Sequence, residues 1–164
     1  GAGYMEDTGL PAYLRDAQVL PIWEGTTNVL SLDVLRALTR DGALQVFLES
    51  GYLRVESLSR GPLVEQSRRV EQHLQEIEHG LPPLLAAGDD VAQSTARRLA
   101  LKLAGVAAAL PLLEQAEWAL VNGRGERAAL AARRWVQARI PGLPDPREAG
   151  ARLNESAQLS GFED

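Results

Sequence analysis

The 164-residue chain contains no cysteine. A disulfide framework, a thiolate nucleophile and a Cys-based zinc site are thereby excluded, and the composition is compatible with a reducing cytoplasm, the expected location. Histidine is nearly as scarce. His73 and His79 are the only two, and both fall beside a charged helical face, so no metal centre is expected. No basic segment followed by an apolar core opens the chain, and no signal peptide is visible. The longest strongly apolar segment, Leu103 to Leu113, falls well short of the roughly 18 residues of a membrane span, and the chain reads as soluble. Neither an internal repeat nor a strand of convincing length is present.

A concentrated charge of one sign is missing as well. The 17 basic and 22 acidic residues leave a net charge of −5. Arginine pairs occur at Arg68-Arg69, Arg97-Arg98 and Arg133-Arg134, but adjacent helical residues point about 100° apart, so each pair supplies only part of a basic face. Residues 95 to 164 carry 10 basic and 8 acidic groups. A phosphate-binding surface normally has a denser basic stripe, so a nucleic-acid partner is not expected and a DNA-associated domain stands only as the less favoured alternative. With 45% hydrophobic and 24% charged residues, the chain has the balance and length of one globular unit with a sizeable core.

What is there is helical periodicity. Residues 1 to 10 read as a loop, and Pro11 opens a short helix through Asp16 or Ala17. A helix from about Thr26 to Arg40 stops at Asp41-Gly42. Residues 43 to 58 read as one interrupted helix or two short ones, broken near Gly51. Leu63, Val70, Leu74, Ile77 and Leu81 then form one stripe, ended by Pro82-Pro83. From Val91 to about Val121 two stripes appear: Leu99, Leu103, Val106, Leu110 and Leu113 on one side, and Leu101, Ala104, Ala108 and Leu112 on the other. A helix apolar on two sides is central in a bundle. Gly105 would admit a close neighbour, and Pro111 should kink or divide the helix. A last helix, Glu126 to Ile140, is anchored by Leu130, Trp135 and Val136, and residues 141 to 164 read as an irregular tail. The pattern predicts an all-α, up-and-down helical bundle.

The stretch from Val19 to Arg36 centres on one acid, Glu24. Ile22 and Trp23 precede it, and Gly25 follows with no side chain to keep another molecule away. Thr26, Thr27 and Asn28 can cap the following helix. A helix entrance favours the carboxylate and apolar neighbours favour the neutral acid, a balance that suits a base active near neutral pH. An acid at a helix start is nonetheless more often a cap or dipole partner than a catalyst. Arg15 and Asp16 could form a local ion pair at the entrance to this stretch.

Gly1-Ala2-Gly3-Tyr4, Leu10-Pro11, Leu14-Arg15-Asp16-Ala17 and Pro21-Ile22-Trp23-Glu24-Gly25-Thr26-Thr27-Asn28 together resemble the C-terminal signature of flavin-dependent acyl-CoA dehydrogenases. The order and spacing agree throughout. Trp23 and Leu14 stand where most members carry Tyr. Trp before Glu-Gly, with Leu-Asp-Val-Leu-Arg after it, is most similar to the branch that includes the adaptive (alkylation) response flavoproteins, which carries a helical extension after the signature.

This resemblance implies that Glu24 is the base that takes the proton next to the thioester carbonyl of an acyl-CoA, while a hydride leaves the adjacent carbon for FAD. It implies that the Glu24 N–H helps hold the thioester oxygen. Gly25 and Trp23 would lie at the acyl-CoA, and Gly1, Thr26, Thr27 and Asn28 at FAD. Residues 1 to 40 would close the catalytic bundle and residues 41 to 140 would be the helical extension, in a protein whose cofactor pocket needs further domains. Because the family usually forms dimers or dimer pairs, a homo-oligomer is expected, and the extension could serve that assembly.

Overall fold

The helix that dominates the apolar pattern is also the helix that the others surround. In the computed structural model, which describes residues 1–40, 42–59 and 61–160 and only the backbone of the last four, α5 runs from Asp89 to Val121. Around it stand α2 (Thr27–Arg40), α3 (Ala43–Ser57), α4 (Val64–Ala86), α6 (Arg127–Ala138) and α7 (Pro146–Ser160), each packed against α5. A 3-10 turn, Glu6–Thr8, and α1 (Leu10–Val19) precede them. No strand occurs among the described residues, and α2 to α6 are neighbours in chain order. The architecture is the expected all-α bundle.

Leu99, Leu103, Val106, Leu110 and Leu113 of α5 are buried, as are Val70, Leu74, Ile77 and Leu81 of α4. Both stripes therefore form the core, and burying each Leu or Ile contributes about 1.5–3 kcal/mol. The second α5 stripe behaves differently. Leu101 and Ala104 are exposed and Ala108 and Leu112 half-buried, so one side of α5 stays open. By length and hydropathy α5 alone would pass for a membrane span. Five packed helices and a buried lysine mark it instead as a bundle core.

Glycine sets two of the contacts. Gly105 is buried, and a Cβ there would stand 3.0 Å from the Arg139 carbonyl and 3.2 Å from the Ile140 Cα. This is the close approach expected of it, and it brings Trp135 Nε1–H to the Gly105 carbonyl at 2.9 Å. Gly51 acts likewise. A Cβ at Gly51 would lie 2.7 Å from Leu74 Cδ2, so α3 passes unbroken through Gly51 to reach α4.

Several other expectations are corrected. Pro111 does not divide α5. It leaves the Ala107 carbonyl without its helical donor, but both residues are exposed and water can serve instead, while Leu110 and Leu113 hold the buried side. Pro82 and Pro83 do not end α4, which continues to Ala86. They face solvent between buried Leu81 and Leu84, and that burial outweighs the lost backbone bonds. Leu130 is half-exposed, and Ala129 and Ala132 anchor α6 with Val136. The tail is helical over Pro146–Ser160. Asp145 Oδ1 accepts the Arg147 N–H at 2.8 Å and Pro146 opens the first turn, an N-terminal pairing that the proline content concealed. Of the expected stop after α2, Gly42 has φ 66° and suits a left-handed terminus, whereas Asp41 lies outside the described residues, as do 161–164.

Among the described residues, bonds from side chain to side chain tie the bundle helices at three places. Arg54 of α3 grips Glu114 of α5 with Nε–Oε1 at 2.6 Å and Nη2–Oε2 at 2.7 Å. Tyr52 donates to Glu78 Oε2 at 2.6 Å, and burial followed by that carboxylate pushes its hydroxyl up to about 12. Lys102, whose side chain is 0% exposed, donates to Glu76 Oε2 at 2.6 Å, His73 Nδ1 at 3.1 Å and the Pro141 carbonyl at 3.1 Å. Three donors meet three acceptors, which is what a buried ammonium requires.

Gly51→Ala is expected to destabilise the bundle. Overpacking against immobile Leu74 costs about 1–3 kcal/mol, more than the roughly 1 kcal/mol that alanine gains in a helix, so the urea midpoint should fall. Acid should also weaken it. Burial, then the Lys102 charge, holds His73 below its usual 6.5, so the unfolded chain binds the proton first and stability drops as pH falls below about 6.5. For Glu76, burial is outweighed by the hydrogen bond and charge of Lys102, and its value is lowered from 4.5. Its contribution is present above about 4.5 and is lost as pH falls below that value. Thermal melts from pH 7.5 to 4 should show a first decline beginning near 6.5, absent in His73→Gln.

Candidate active site

The Glu24 turn is built by a stop and a restart. After α1, the N–H groups of Ile22 and Trp23 both donate to the Val19 carbonyl, at 3.0 and 2.8 Å. Gly25 N–H then reaches the Ile22 carbonyl at 3.3 Å, and α2 begins with Leu30 N–H on the Thr26 carbonyl at 3.0 Å. Between these bonds the chain reverses through Glu24 at φ 60° and Gly25 at φ 126°. Glu24 is the one non-glycine residue at positive φ among the described residues. That conformation costs an L-residue about 1–2 kcal/mol, and such strain collects at functional turns. Among the described residues its N–H has no acceptor.

The apolar walls expected around Glu24 are not present. Ile22 is 62% and Trp23 61% exposed, and Leu20, Tyr13 and Leu14 are exposed beside them in the chain. Glu24 itself faces solvent. The contacts of α1 are chiefly with the Glu6–Thr8 turn, and Arg15 pairs with Glu6 at 2.9 and 3.2 Å rather than with Asp16. Apolar side chains left in water in this way are suited to being covered by another surface.

Trp23, Glu24, Gly25, Thr26, Thr27 and Asn28 are contiguous in this turn, whereas Gly1 lies in a separate turn closed by Tyr4 N–H on its carbonyl at 2.9 Å. No side-chain cap from Thr26, Thr27 or Asn28 is made among the described residues. The Thr27 carbonyl accepts the Ser31 hydroxyl at 2.6 Å. Thr26 and Asn28 are exposed, with a hydroxyl and an amide free of protein partners among the described residues. That donor set fits the hydroxylated and phosphorylated parts of a dinucleotide. Asn28 also lines a cleft of about 390 Å³ with Ser31, Leu32, Gln93, Ser94 and Arg97. Periodicity gave no sign of this meeting of α2 and α5.

Residues 42–159 match the family model described as "Acyl-CoA dehydrogenase 11 C-terminal domain-like", and residues 1–39 match "Acyl-CoA dehydrogenase, C-terminal domain". The chain belongs to the acyl-CoA dehydrogenase family. It is 42% identical over 126 residues to acyl-CoA dehydrogenase family member 11 of Caenorhabditis elegans, covering 71% of this chain and 20% of that protein. It is 40% identical over 98 residues to 3-methylmercaptopropionyl-CoA dehydrogenase of Ruegeria pomeroyi, covering 55% and 16%. A third relative is the Escherichia coli protein named "Putative acyl-CoA dehydrogenase AidB", 34% identical over 88 residues, covering 49% and 16%. The chain thus spans about a fifth or less of the length of these curated relatives. No solved structure matches it.

The weak packing of α1 in this family member has a direct test. Limited trypsin digestion should cut after Arg15 before it cuts after Arg68, Arg69, Arg97 or Arg98, which lie on helices of the packed bundle. Simultaneous cleavage would mean that α1 is held as firmly as the core.

Proposed function

We propose that the chain is the C-terminal helical part of an FAD-dependent acyl-CoA dehydrogenase and that Glu24 is its proton-abstracting base. The observation that carries this reading is the left-handed Glu24, with its N–H free, set among exposed apolar side chains at the start of α2. In the proposed reaction the Glu24 carboxylate takes the proton from the carbon next to the thioester carbonyl. FAD, when bound, supplies the acceptor for the hydride that leaves the neighbouring carbon, and a double bond remains between the two.

The acid is weak, so charge developing on the thioester oxygen needs a donor fixed in advance. The Glu24 N–H would supply one. Gly25 gives the acyl-CoA room, and Trp23 would flank it. Thr26, Thr27 and Asn28, with Gly1 from the N-terminal turn, would hold FAD. Exclusion of water would come from domains seated on the exposed face of Ile22, Trp23 and Leu20, because a base open to solvent gains little from preorganised donors.

A second reading is favoured by the open side of α5, where Leu101 and Trp118 are about half-exposed. There the extension would serve homo-oligomer assembly and the Glu24 turn would do no chemistry.

Glu24→Gln in the whole flavoprotein decides between them. The amide keeps size and turn but cannot accept the proton. Flavin content should be retained while turnover falls by at least about 100-fold, the lower end of what a positioned base contributes. Unchanged turnover would remove Glu24 from the role.

A further inference from the structure

On the side of the bundle where α6 meets α4, a groove of about 520 Å³ lies over the buried lysine. Arg68, Arg69, Gln72 and His73 of α4 line one wall, and Gln137 of α6 with Ile140 just beyond it the other. Glu65, also on the rim, is paired to Arg69 through Oε1 and Nε at 3.2 Å. Arg68 has no acidic partner among the described residues, and its side chain is exposed. The groove therefore holds an uncompensated positive charge in a chain whose net charge is −5.

His73 completes it. An ammonium donates and never accepts, so the Lys102 Nζ contact at 3.1 Å requires a bare Nδ1 on His73. Glu76 Oε2, 3.3 Å from the same nitrogen, is then a neighbour of Nδ1 and not its acceptor, and is engaged by Lys102 at 2.6 Å. The ring proton is thereby assigned to Nε2. His73, half-buried and lining the groove, presents a neutral N–H whose tautomer is set from behind by a lysine with no freedom to turn.

We propose that this groove binds a small phosphate or phosphomonoester, with the Arg68 guanidinium and the His73 Nε2–H as its principal donors and the Gln72 and Gln137 amides beside them. A guanidinium matches two oxygens of a tetrahedral oxyanion, and Ile140 offers an apolar wall to an organic substituent. One uncompensated cation suits a monoester better than a polyanion, whose binding needs several. The site lies apart from Glu24 and does not depend on the function assigned there.

The test is a titration of the chain, labelled with ¹⁵N, at constant ionic strength. Before any addition, the His73 ring should show a protonated Nε2 and an unprotonated Nδ1. Inorganic phosphate and phenyl phosphate are then added separately, with sodium chloride as the control. Saturable shifts of the His73 ring resonances are expected, absent with chloride. Tighter saturation by phenyl phosphate would identify an organic monoester as the ligand, and equal saturation free phosphate. Arg68→Ala, an exposed substitution whose fold is checked by circular dichroism, should weaken binding about tenfold, the worth of one charged hydrogen bond. Shifts no larger than chloride produces, or shifts undiminished in a folded Arg68→Ala, would overturn the proposal. So would a proton found on Nδ1.

Discussion

Everything in this bundle answers to the packing of α5. Its 33 residues contact five other helices, and its contact faces are made by different residue sizes. Leu99, Val106 and Leu113 are fully buried and fill space, while Gly105 removes it, letting the Arg139–Ile140 backbone come within 3.0–3.2 Å of where a Cβ would stand. Native interiors are packed to crystal-like density, so the position of each neighbour is fixed by that relief. Lys102 adds direction. It joins α4 to the segment after α6 through bonds that only one arrangement of the three parts can satisfy.

The candidate site inherits its position from this packing and its exposure from the lack of it. Because α2 lies against α5, the turn that opens α2 is held at the edge of the bundle, with Thr26 and Asn28 turned outward. Before that turn the packing stops. Tyr13, Leu14, Leu20, Ile22 and Trp23 are left in water, at a cost of about 25 cal/mol for each Å² of apolar surface kept wet. Covering this face would recover that free energy and would also dry the carboxylate. On the function proposed above, one physical event would thus stabilise the assembly and activate Glu24.

The fold was legible because it rests on period. Stripes at three and four residues gave the core faces of α4 and α5 and the bundle class, and Gly105 gave a true close approach. At the prolines and at Gly51, a local breaker is overruled by its tertiary setting. Pro82, Pro83 and Pro111 lie on exposed helix sides where a lost backbone bond costs little, and Gly51 is a contact with Leu74 and not an end. In the tail, proline density hid an ordinary helix start at Asp145-Pro146. Residues that could bind and react in the Glu24 turn were legible through contiguity, since a signature is read along the chain. Lys102 with His73 and Glu76 was not, because its members are 26 and 29 residues apart. A lysine spaced three from Leu99 and four from Val106 on a buried stripe was the available signal.

In the function proposed above, the Glu24 turn is one wall of a flavin site that needs other walls to work. The most direct measurement is the visible absorption spectrum of the purified chain after incubation with excess FAD and removal of free cofactor. A colourless protein is expected. A retained flavin band that bleaches on addition of an acyl-CoA would contradict it, since the exposed turn would then be a complete site.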